Sequence, residues 1–135
     1  MSGKFLLASE TEYMELDWGR VGAHCSPSRT GAKYLTIVDA RLNPGKGHDF
    51  HKHVDQEEVI MVISGHVEQW LETECRVLGP GDSVFIPPNT VHASFNIGDG
   101  EAQIIAMFGP SIGESGLETV DVATEKPWNT LRKIT

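Results

Sequence analysis

The stretch GKGHDFHKHVDQEEVIMVISG, residues 45–65, decides how this chain folds. Glycines close both ends, and His51, His53 and Glu58 lie between them. His51 and His53 are two apart, so on a strand both point to one face. Glu58 lies five beyond His53, the wrong parity for one uninterrupted strand. A turn across Val54-Asp55-Gln56-Glu57 repairs this by folding the next strand back beside the first, so that Glu58 faces the two histidines. A second stretch, GDSVFIPPNTVHASFN at residues 81–96, brings His92 from a distant strand. His92, Ser94 and Asn96 share a face, so Ser94 and Asn96 are expected to line or support the same interior.

Three imidazoles and one carboxylate on segments that fold against each other form a site for one divalent transition metal: Fe, Mn, Ni or Zn. On an octahedral ion four protein ligands leave two adjacent positions for a bidentate substrate, or for substrate and dioxygen. A tetrahedral zinc with the same ligands is closed. Glu57 competes with Glu58, but the six-residue interval to Gly65 favours Glu58 and leaves Glu57 solvated. His48, in a glycine-rich turn, is expected at the surface, and His66 at the surface or in the core. His24 is undecided. Gln56 is expected to be solvent-exposed, with support of the ligands as the alternative. Metal binding needs neutral histidines, so occupancy should fall as pH drops toward and below about 6.5.

The rest of the chain has the rhythm of an all-β protein. Fourteen glycines and seven prolines punctuate short apolar runs. Strands are expected at 13–18, 33–42, 50–53, 58–64, 66–71, 75–78, 83–86, 91–96 and 101–108, with 22–32 as loop. The nearly continuous apolar run of 58–64 suggests cover on both faces. Asn43-Pro44-Gly45 and Gly79-Pro80-Gly81-Asp82 are turn signals, and Gly98-Asp99-Gly100 a hairpin candidate. No segment has convincing helical periodicity; the last ten residues allow one turn. The 135 residues suit a single domain, 1–135, with its core at about 33–108. Tyr34, Met61, Trp70, Phe85, Phe95, Met107 and Phe108 are candidates for lining a pocket, most of them being core.

A net charge of −8 argues against a nucleic-acid groove or an anionic membrane surface as partner and leaves a small molecule. Cys25 and Cys75 fit no metal motif and are expected as free thiols. The short apolar run Phe5-Leu6-Leu7-Ala8 makes neither a leader nor a span, so the protein is expected in the cytoplasm.

The two stretches resemble the cupin superfamily. The first matches its pattern at every defining position; the second departs only in carrying Asn89 where glycine is usual. Asparagine is the next best residue at positive φ. The 15 residues between Gly65 and Gly81 are similar to the spacing of small single-domain microbial cupins. The resemblance implies a β-barrel of two antiparallel sheets, a double-stranded jelly roll, with metal ligands His51, His53, Glu58 and His92. It also implies a homodimer, with which the apolar outer positions of 58–64 agree. Fold alone leaves function open. The first expectation is a metal-dependent, dioxygenase-like oxidoreductase acting on a small oxygen-bearing or enolisable compound, with Glu58 doubling as base. The others are a metal-dependent isomerase, lyase or decarboxylase, and a non-enzymatic ligand-binding module.

Overall fold

The structure, a computed structural model, describes residues 2–132. The strands are β1 Tyr13–Leu16, β2 Gly19–Cys25, β3 Thr36–Leu42, β4 Gly47–Lys52, β5 Glu57–Ser64 and β6 Val67–Leu71. They continue with β7 Glu74–Leu78, β8 Ser83–Ile86, β9 His92–Asn96, β10 Ala102–Gly109 and β11 Val120–Asp121. Two antiparallel sheets face each other: sheet A in the order β1-β2-β3-β10-β5-β8, sheet B in the order β11-β4-β9-β6-β7. This is the expected all-β jelly roll, with open sheets rather than a closed hydrogen-bonded barrel.

Turn chemistry sets the corners. Lys46 N–H bonds to Asn43 O at 3.0 Å across Pro44 and Gly45, whose φ of 76° suits the glycine position of a type II turn. Asn89 takes φ 59°, so asparagine keeps the turn usually made by glycine. Its N–H bonds to His53 O at 2.8 Å, tying that turn to the end of β4.

Two connections differ from the sequence expectation. Residues 54–56 do not fold β5 back beside β4; they carry the chain from sheet B to sheet A. The Gly98-Asp99-Gly100 segment also marks a crossing between sheets rather than a hairpin, as does Gly65 between β5 and β6. The same small flexible residues serve a hairpin and a crossover, so turn chemistry cannot distinguish them. Nor are 22–32 all loop: β2 reaches Cys25, and Pro27–Thr30 forms one helical turn, α1.

The main core lies between the sheets and includes Leu42, Ile60, Val62, Ile86, Ile104 and Phe108. A second cluster, Phe50, Val91, Ala93, Phe95 and Val122, lies on the outer side of sheet B. The C-terminal segment covers it through Ala123, Trp128 and Leu131. This segment contains the helical turn α2, Trp128–Leu131, within the last ten residues; residues 133–135 of that expectation lie outside the described ones. The strand buried on both faces is therefore β9, all five residues of which are buried, and not β5. In β5 the outward Val59 and Met61 are half-buried and Ile63 is exposed. Cys25 and Cys75 are free thiols. Among the described residues no helix is long and apolar enough to cross a membrane.

Candidate metal centre

β4 and β9 lie side by side with His51 opposite His92. The β4–β9 register slips between His48 and His51, so β4 carries one residue more than β9 over that interval. This is a β-bulge. Its consequence is parity: His48, three positions before His51, ought to point the other way. Instead it pairs with inward-facing Ser94, and its ring stacks on His51 with centroids 3.6 Å apart and planes 13° apart. Trp18 stacks on the other face of His48 at 5.1 Å. His53 follows directly after β4. Glu58 comes from the opposite sheet, on β5 between Ile86 of β8 and Phe108 of β10.

His51, His53, His92 and Glu58 are all buried. The three histidines offer ring nitrogens within 4.8 Å of one another. Glu58 Oε1 lies 2.9 Å from His92 Nε2 and 3.3 Å from His53 Nε2. The other ring nitrogen of each histidine faces a backbone carbonyl. Nδ1–H of His51 donates to Asp49 O at 2.7 Å, that of His53 to Glu118 O at 2.8 Å, and that of His92 to Thr90 O at 3.0 Å. In a neutral imidazole a proton on Nδ1 leaves Nε2 with a lone pair. Three such lone pairs and a carboxylate oxygen thus gather in a buried space, and His53 Nε2, His92 Nε2 and Glu58 Oε1 have no hydrogen-bond partner. Buried acceptors facing each other at these distances are repulsive until a cation joins them. The donor set fits a divalent ion held by His51, His53, Glu58 and His92.

The electrostatics agree. Burial, together with His48 and His92, holds the His51 pKa well below its ordinary value. Burial works to raise Glu58, but the rings of His53 and His92 outweigh it, and its carboxyl stays below the usual range. Burial, reinforced by His92 and His53, pushes His48 down to about 4. His51 is thereby neutral and Glu58 ionised at neutral pH, the forms in which each binds a metal.

Two residues that the sequence placed at the surface belong here. His48 lines the cavity beside His51, and only the bulge explains how. Gln56 is 2% exposed. Its Nε2 donates to Pro110 O at 2.7 Å and Gly116 O at 2.9 Å, and its Oε1 accepts from Glu118 N–H at 3.1 Å. The Glu118 carbonyl accepts the hydrogen bond from His53 Nδ1–H, so Gln56 positions His53 through one residue. Gly116 is needed at that junction, because a Cβ there would lie 2.2 Å from Thr36 Oγ1. The alternation that makes Glu58 inward makes Glu57 outward and exposed, as expected. His66 is exposed, and His24 is half-buried with Nδ1 3.4 Å from Thr11 Oγ1.

His51, His53 and Glu58 line one end of a cavity of about 600 Å³. Ser94 lines it and donates to Gln69 Oε1 at 2.6 Å. Asn96 does not line it; its amide holds Leu42 O and Gly100 O at 2.9 and 2.8 Å, fixing the crossing between sheets. Of the aromatic and methionine candidates only Phe108 lines the cavity. Tyr34 and Phe85 are 73% and 52% exposed, and Phe95 lies in the outer cluster. The walls are instead aliphatic, with Val38, Ala40, Ile60, Ile104 and Ala106 among them.

Comparison with known proteins agrees with this architecture. Residues 38–108 match the family described as Cupin domain. Protein SchB of Streptomyces halstedii is 31% identical over 103 residues, 76% of this chain and 75% of that protein. Polyketide synthase CurC of Streptomyces cyaneus is 32% identical over 102 residues, 76% of this chain and 65% of that protein. KdgF from Halomonas sp. shares the fold with a TM-score of 0.74 at 22% identity, over 82% of this chain and 96% of that one. Oxalate decarboxylase from Bacillus subtilis does so with a TM-score of 0.72 at 21% identity, over 84% of this chain and 30% of that one. The family match takes in β4 with the His53 that follows it, β5 and β9, the source of the four converging side chains, and on that match this chain belongs to the cupin family.

Proposed function

We propose that this protein is a metal-dependent enzyme that oxidises an enolisable, oxygen-bearing compound in a dioxygenase-like reaction. The observation that carries the reading is the buried convergence of three Nε2 lone pairs and the Glu58 carboxylate at the end of an aliphatic cavity. A divalent ion there would supply Lewis acidity and a template for two oxygen ligands. The chain supplies the rest. The backbone carbonyls of Asp49, Glu118 and Thr90 fix the imidazoles before substrate arrives. The ionised Glu58 is placed to take a proton from the carbon beside a carbonyl, leaving the C–H electron pair on the carbonyl oxygen as an enolate. Val38, Ile60 and Ile104 exclude water around that enolate. The name polyketide synthase borne by one relative supports a substrate of this chemistry, since polyketides are rich in enolisable carbonyls.

The test is oxygen consumption by protein loaded with Fe(II), Mn(II) or Ni(II), against diketones, phenols and thiols. Uptake with a diketone or phenol, lost in Glu58→Gln, supports the reading. Turnover that proceeds equally without oxygen replaces it with an isomerase, lyase or decarboxylase. That second reading keeps the ion as a Lewis acid on a carbonyl or carboxylate and Glu58 to move a proton, with no oxidant.

A further inference from the structure

We propose that the site takes an amphipathic substrate, its oxygen-bearing head at the four ligands and its apolar body along a trough on the inner face of sheet A that ends at Met14. This deepens the proposed function and rests on its reading of the metal site.

The rungs of sheet A define the trough. The rung nearest the ligands runs Glu58–Phe108–Thr36 across β5, β10 and β3. The next runs Ile60–Ala106–Val38–Ala23 from β5 to β2. The third runs Ile104–Ala40–Val21–Met14 from β10 to β1. Away from Glu58 the floor drops to alanine at Ala106, Ala40 and Ala23, where a larger aliphatic residue would fill the space between the sheets. From β5 to β1 there are four strand-to-strand steps, about 19 Å at the usual spacing.

The far end is the unusual part. Met14 and Leu16 line the same cavity as the histidines, yet they are 62% and 38% exposed. Apolar side chains on the inner face of a jelly roll are ordinarily covered by the opposing sheet. Here they continue the wall of the cavity instead. Its volume of about 600 Å³ far exceeds what a two-oxygen head occupies. Among the residues that line the cavity, Glu12, an exposed acid, is the only charged side chain away from the ligands. With the chain's net charge of −8 it disfavours a distal carboxylate, so the tail is neutral. A second copy of this chain laid on β1 is the competing occupant. The small-molecule body is favoured because the exposed apolar wall and the ligand cluster belong to one continuous cavity.

The experiment loads the protein with Ni(II) and titrates it calorimetrically with acetohydroxamic, butanohydroxamic and octanohydroxamic acids, which share one chelating head. The expected result is binding that tightens about three- to fourfold per added methylene. Met14→Asp, and the milder Met14→Gln, should flatten the series, lowering the ratio of octano- to acetohydroxamate affinity at least tenfold and about threefold. Acetohydroxamate binding with no gain from lengthening overturns the trough and leaves the metal site standing. No binding of acetohydroxamate overturns the metal-site reading and the trough with it. A gain unchanged in both Met14 variants overturns the path along β1. A solution dimer that Met14→Asp dissociates assigns β1 to a second copy and also overturns the proposal.

Discussion

At the closed end of the cavity His51, His53 and His92 each commit one ring nitrogen to a backbone carbonyl, whereas at the open end Met14 and Leu16 stand 62% and 38% exposed on an edge strand. One end is fixed before anything binds; the other leaves its wall uncovered. The difference teaches where sequence changes should hurt. A change at the closed end disturbs a network in which each group holds another. A change at the open end alters a surface that no other element depends on.

The largest effect is expected at the ligands. His51→Ala should lower metal content, read by elemental analysis, from about one ion per chain to far below it, since one of four ligands is gone. Full occupancy in that variant would falsify the assignment of the site. Next comes Gln56→Ala. It removes three hydrogen bonds and leaves the Pro110 carbonyl and the Glu118 N–H unpaired, while Gly116 O keeps Thr36 Oγ1 and Ile112 N–H. A loss of about 3 kcal/mol in urea unfolding is expected. Because Gln56 holds Glu118, whose carbonyl accepts the hydrogen bond from His53 Nδ1–H, metal affinity should also weaken by about ten- to a hundredfold. Unchanged affinity at reduced stability would limit Gln56 to structural support.

The two ends also differ in how far sequence reveals them. His51, His53 and His92 are legible because two-residue alternation is a local rule that the strands obey here, whereas Glu58 meets them from the opposite sheet and not through the turn its spacing suggested. His48 is not legible. The bulge that turns it inward depends on how β4 meets β9, two strands separated by some forty residues. Gln56 is hidden for a related reason: its partners, at 110–118, become neighbours only after the chain crosses between sheets. The trough is hidden because its floor consists of alanines and valines, which any strand core contains. What singles them out is their place on rungs shared by five strands. The resemblance conveyed the jelly roll, yet alternation alone could not show that β9, rather than β5, would be covered on both faces.

A third prediction concerns pH. In the ion-free protein burial holds His51 well below its ordinary pKa and His48 at about 4; the unfolded value is about 6.5. Below about pH 6.5 the unfolded chain takes up protons that the folded chain refuses, so stability is intact above that pH and declines as pH falls toward 4. The Tm of metal-free protein should follow this course, and His48→Gln should flatten it in part. A Tm that stays level down to about pH 4.5 would contradict the neutral stack of Trp18, His48 and His51.

The smallest effect on folding belongs to the open end. Met14 is exposed, sits on edge strand β1 and makes none of the side-chain hydrogen bonds that tie the site together. Met14→Gln should shift unfolding free energy by no more than about 0.5 kcal/mol and leave metal content unaltered. The comparison depends on this near-neutrality. If the substitution costs as much as Gln56→Ala, then Met14 is held by something, and the open end is as built as the closed one. If it costs almost nothing, an apolar side chain persists in water at the lip of an aliphatic cavity without serving the fold, and the remaining physical reason to place it there is contact with what enters.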